Sequence, residues 1–126
     1  MVKKNTNNTK AIAALCYLFS WITGIIFYFL EKDNKYVRFH AMQSIMLGFV
    51  IFLTKLFFGA LAISSIIAGV FTLGIGTLIA LPIIALSGGI LALAYFIVWI
   101  LLMYKAFKGE KYKLPIIGNY AEKYSK

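Results

Sequence analysis

Acidic residues are scarce in this chain: Asp and Glu number 4 against 13 Lys and Arg among 126 residues. Charged residues of both signs make up only 13% and hydrophobic ones 62%. A soluble domain carries roughly twice that share of charge. So short and apolar a chain has more apolar surface than a small core can hide. A single Cys and 2 Pro exclude a disulfide framework and a proline-rich or collagen-like chain. One His and one Cys cannot assemble a His/Cys metal cluster within one chain, so no metal is expected. What remains is a small integral membrane protein.

The apolar stretches carry the fold. Residues 11–30 are uncharged and long enough for a hydrocarbon core of roughly 30 Å. Their basic start resembles a secretory signal, but no small-x-small exit follows, so the segment reads as a retained helix. After the polar turn at 31–35, residues 39–104 contain one Lys, Lys55, and neither Asp nor Glu. Breaker residues divide this block at Gly59 and at Pro82 with Gly88-Gly89. The expected fold is all-α, a polytopic transmembrane bundle of four spans at about 11–30, 37–58, 60–83 and 88–107. Three spans result if residues 69–82 are instead a re-entrant or connecting segment. A basic N-terminal tail (1–10), the helical domain (11–107) and a basic interfacial tail (108–126) complete the organisation.

Cations crowd the ends of the apolar runs. Lys3, Lys4 and Lys10 precede the first, and Lys105, Lys108, Lys111, Lys113, Lys123 and Lys126 follow or close the last. Placed there, they read as topology signals and contacts for anionic lipid headgroups, not as a nucleic-acid surface. With four spans, Lys55 falls at the cytoplasmic end of the second helix, and Lys32, Lys35 and Arg38 stay outside. Both termini are then cytoplasmic in the cell (plasma) membrane. The three-span arrangement with an external N-terminus obeys the same charge rule.

Helical spacing places Tyr36, His40, Gln43, Ser44, Thr54 and Lys55 on one arc of the second helix, with Arg38 and Met42 opposite. Such a stripe must face protein or water, because lipid cannot satisfy its hydrogen bonds. Its expected role is to bind neighbouring helices together; the sharper alternative is a permeation path. Arg38 is expected at a lipid phosphate, or paired with Glu31 or Asp33. Cys16 reads as a packing residue. All four acids, Glu31, Asp33, Glu110 and Glu122, lie outside the apolar runs, and no paired-carboxylate, nucleophile–base or glycine-rich phosphate motif is present. No catalytic residue, cofactor or enzymatic activity is expected. Ala14-Leu15-x-Tyr17-x-x-x-Trp21-Ile22 recurs as Ala92-Leu93-x-Tyr95-x-x-x-Trp99-Ile100, a candidate shared packing surface.

Two segments carry a family likeness. Tyr36-Val37-Arg38-Phe39-His40-Ala41-Met42-Gln43-Ser44 resembles the signature of small prokaryotic membrane proteins related to the Tic import component of the chloroplast inner envelope. The ending Ala106-Phe107-Lys108-Gly109-Glu110 and Leu114-Pro115-Ile116-Ile117-Gly118 is similar to the tail of archaeal and bacterial members, and Ala13-Ala14-Leu15-x-Tyr17 to the start. The resemblance implies four helices with both termini on one side. It also implies a scaffold or subunit in membrane-protein translocation or assembly, with further copies or other membrane proteins as partners.

Overall fold

The computed structural model describes residues 7–126, so Lys3 and Lys4 of the expected basic tail lie outside the described residues. Among them the regular structure is entirely helical: α1 (Asn7–Leu15), α2 (Trp21–Leu30), α3 (Lys35–Phe71), α4 (Ile75–Lys108) and α5 (Ile117–Tyr124). Residues 7–50 pack with 98–126 as one unit, and residues 51–97 form a second.

In the first unit the expected span 11–30 is broken at residues 16–20, where Ser20 takes a φ of 56°. The α1 start lies at the α4 C-terminus: a Cβ on Gly109 would meet the Lys10 side chain at 2.8 Å. The α1 end reaches Ser44, whose hydroxyl donates to the Cys16 carbonyl at 2.6 Å. From there α2 returns antiparallel to α3. Gly48 faces Trp21 and Ser20, and Gly24 lies so close to α3 that an added Cβ would sit 2.9 Å from the Ala41 carbonyl. Tyr28 then meets Arg38. The first apolar segment is therefore a helical hairpin that enters and leaves at one end of the unit. Cys16, Val37 and Ala41 form its buried core, with Ile12, Phe27 and Tyr28 packed around them.

Asn34 starts α3. Its Oδ1 accepts from the backbone N–H of Tyr36 at 3.1 Å and of Val37 at 3.4 Å, and its carbonyl receives the Arg38 N–H. This capping satisfies donors that have no partner within the helix. After α4, Pro115 and Ile116 (φ 69°) turn the chain through a γ-turn closed by the Ile117 N–H on the Pro115 carbonyl, and α5 follows.

In the second unit, α3 and α4 form a hairpin closed at residues 72–74. Leu73 (φ 52°) and Gly74 (φ 89°) are both left-handed, and the Gly74 N–H bonds to the Gly69 carbonyl. Gly69 admits Thr77, whose hydroxyl donates to the Ser65 carbonyl at 3.0 Å.

These helices correct the expected division. α3 runs through Gly59, and α4 runs through Pro82, Gly88 and Gly89, so 37–58, 60–83 and 88–107 are not separate helices. Breaker rules presume water ready to solvate freed backbone groups. In apolar surroundings the intrahelical bond has no such competitor, and Gly and Pro are tolerated. The turn falls instead at 72–74, inside the segment that the three-span division treats as a connection. Among the described residues two helices, α3 and α4, are long and apolar enough to cross a membrane. Lys55 lies inside α3, not at a helix end. The repeat is not structural: its first copy spans the break at 16–20, and its second lies within continuous α4.

Candidate functional site

Four residues of the expected stripe, Tyr36, His40, Gln43 and Ser44, come together in the first unit, and the last three are fully buried. Ser44 is i+4 from His40 and i+1 from Gln43, so one face of α3 presents all three side chains. Ser44 shares its single proton between the Cys16 carbonyl at 2.6 Å and the Ser20 carbonyl at 2.7 Å. The Cys16 carbonyl is freed by the break between α1 and α2, while the Ser20 carbonyl also accepts the Gly24 N–H at 3.1 Å. Thr23 also donates to the Cys16 carbonyl at 2.9 Å, and the Trp99 indole N–H donates to the Tyr17 carbonyl. Irregular backbone at membrane depth survives only where protein satisfies it in this way.

Gln43 works as a two-sided clamp. Its Nε2 donates to the Tyr112 carbonyl and to the Tyr17 hydroxyl, each at 3.1 Å, while its Oε1 accepts the Leu114 N–H at 3.4 Å. The tail is thereby strapped across α3. The Tyr17 hydroxyl, which accepts from Gln43, lies 2.9 Å from His40 Nδ1. The other ring nitrogen, Nε2, has no hydrogen-bond partner among the described residues. The rings of Tyr17, Tyr36 and Phe39 meet the imidazole edge-on. Tyr36 closes the group by donating to the Ala106 carbonyl at 2.7 Å.

Thr54 and Lys55 are not part of this cluster. They belong to the second unit, where Thr54 and Tyr95 hydroxyls lie 3.2 Å apart and Lys55 is exposed. The expected pairing of Arg38 with Glu31 or Asp33 is replaced by other partners. Arg38 stacks over the Tyr28 ring at 4.8 Å, donates to the Tyr28 hydroxyl at 3.0 Å and reaches the Lys32 carbonyl at 3.4 Å. Tyr28 in turn donates to the Tyr124 carbonyl at 2.9 Å, fastening α5.

The expected headgroup lysines are partly engaged. Lys105 pairs with Glu110 at 2.6 Å and Lys113 with Glu122 at 2.5 Å. Hydrogen bonds from these ammonium groups hold both carboxyls below their ordinary range. Lys108 lies over the Tyr104 ring and Lys111 over the Phe39 ring. Among the described residues, no three His, Cys, Asp or Glu side chains gather into a metal-holding group.

Sequence reasoning missed Tyr17, Thr23 and Trp99 as members of the cluster. Tyr17 and Trp99 stood in the apparent repeat, and Ser20 and Thr23 interrupt an otherwise apolar run; those hydroxyls signalled the break.

Comparison with known proteins supplies the kinship. The chain is 50% identical over 112 residues to a UPF0132 membrane protein of Methanocaldococcus jannaschii, covering 89% of this chain and 84% of that one. A second such protein of the same organism is 40% identical, over 87% of this chain and 65% of its own length. A UPF0132 membrane protein of Archaeoglobus fulgidus is 40% identical, over 86% and 87%. No solved structure matches. These matches bear out a small membrane protein; the likeness to the chloroplast import component is not among what they support. Residues 8–121 match the family described as the magnetosome magnetite crystal formation protein family, and the chain belongs to that family.

Proposed function

We propose that the chain is a non-enzymatic membrane scaffold, a subunit that holds further copies of itself or other membrane proteins during their assembly. The observation that carries this reading is how the polar stripe is used. His40, Gln43 and Ser44 are fully buried, and Gln43 and Ser44 spend their donors on the chain's own groups. A permeation path needs polar groups facing water, and a polypeptide-conducting path needs a wide one. A closed cluster instead stiffens a body whose outer surface is apolar, as for Ile26, Phe29, Phe49 and Phe52. The family description concerns magnetite crystals. Mineral contact is not favoured here, because Glu110 and Glu122 are occupied by lysines and the chain carries a net charge of +9.

The same reading orients the chain in the cell membrane. Every described Lys and Arg except Lys55 belongs to the start of α1, the 31–35 turn, the first turn of α3 or the segment from Lys105 onward. Contacts of Lys10 with Gly109 and of Tyr28 with Tyr124 bring these segments to one end. The positive-inside rule then makes that end cytoplasmic, with both termini and the 31–34 turn together. This differs from the four-span expectation, in which Lys32, Lys35 and Arg38 were external.

Photo-crosslinkers decide the function. Probes replacing Ile26 and Phe52 on the exposed faces should trap a second copy or another membrane protein, while a probe at Ser44 should reach only the chain's own helices. Polypeptide trapped at Ser44, or solute flux through wild-type protein in liposomes, would overturn the scaffold.

A further inference from the structure

Lys55 is the one cation within residues 39–104, a stretch without Asp or Glu, so its counter-charge must come from outside that stretch. An ionisable side chain amid apolar helix marks a site by default and calls for a named partner. Lys55 lines a groove of about 240 Å³ between the α3 and α4 segments of the second unit. The Thr54 and Tyr95 hydroxyls, 3.2 Å apart, form its polar wall. Phe58 and Leu91 form the apolar remainder, and Gly88 keeps it open, since a Cβ there would meet the Phe58 ring at 3.3 Å.

We propose that this groove seats a membrane phospholipid with an anionic headgroup, its phosphate on the Lys55 ammonium and one acyl chain laid between Phe58 and Leu91. Charge complementarity selects the headgroup: the groove offers a cation and hydroxyls but no carboxylate that would receive a choline or ethanolamine ammonium. The apolar stem of Lys55 lies along the groove while its ammonium turns toward phosphate, as snorkelling side chains do.

The test uses the full chain in phosphatidylcholine vesicles containing a trace of phosphatidylglycerol with a diazirine in one acyl chain. Light should attach the probe to the Phe58 and Leu91 peptides. Lys55→Met should lower the yield about fivefold, the worth of one cation near an anionic lipid, and Lys55→Arg should restore it. Gly88→Leu keeps the charge but fills the groove, and should also lower the yield, with circular dichroism verifying that the helices persist. Equal labelling of Lys55→Met and wild type would overturn the proposal. So would equal labelling by a phosphatidylcholine diazirine probe, or a carbodiimide crosslink from Lys55 to an acid of a second copy.

Discussion

Ser44 has one proton and two carbonyls competing for it, and that sharing fixes the bend between α1 and α2. Ser44→Ala removes the buried donor that ties both carbonyls to α3, leaving the Cys16 carbonyl to Thr23 and the Ser20 carbonyl to the Gly24 N–H, a loss of about 1 kcal/mol. Thermal unfolding in detergent should register it as a lowered Tm. Ser64→Ala removes only an exposed bond from Ser64 to the Ala60 carbonyl and should leave Tm unchanged. Tyr17→Phe removes the hydroxyl that Gln43 and His40 share, stranding a buried Gln43 N–H and the His40 Nδ1, at a cost of about 1–3 kcal/mol. At this scale the sequence was informative for α3: helical spacing alone gathers Tyr36, His40, Gln43 and Ser44. It was blind to Tyr17 and Trp99, because their partners lie 23 and 82 residues away and no local spacing encodes that contact.

The tail is held as a strap with two fastenings, the Gln43 clamp and the Tyr28 bond to Tyr124, and is braced internally by the Lys113–Glu122 pair. Gln43→Leu removes two bonds to its backbone, so limited proteolysis should cut near Tyr112 several-fold faster than in wild type. Gly118→Ala acts at the other end, because its Cβ would lie 2.7 Å from the Lys113 Cβ and 2.8 Å from its Cα. Backbone must shift there, and the same cleavage should accelerate. Acid should loosen the strap as well. Glu122 titrates below the ordinary 4.5 when paired, so its contribution is full above 4.5 and is lost as pH falls through the lowered value. Both partners of the pair are partly exposed, so the change is modest, and Glu122→Gln should remove this share of the pH dependence while leaving that of the Lys105–Glu110 pair. The elements themselves were half legible. Helix was evident throughout the apolar runs, but the breaks were not, because glycine and proline rules calibrated in water misplace them in an apolar chain. The hydroxyl-bearing Ser20 and Thr23, not Gly59 or Pro82, mark where a helix ends and its carbonyls are caught.

For the molecule as a whole, sidedness is the deciding measurement. In a Cys16→Ser background, cysteines replacing the exposed Asp33 and Lys126 should react with an impermeant maleimide from the same side, the cytoplasmic one. Asp33 and Lys126 labelled from opposite faces would restore the four-span arrangement. Composition alone identified a membrane protein, and the +9 charge gave an orientation rule; neither could say that the first apolar run doubles back. That hairpin also depends on distant segments. The Cys16 and Tyr17 carbonyls take Ser44 and Trp99 as partners, and Tyr28 takes Tyr124, 96 residues later. A fragment that stops before Ser44 lacks these partners, and residues 11–30 in it should form an unbroken helix. The bend is a property of the assembled chain rather than of the first apolar run, because its partners come from α3, α4 and the tail.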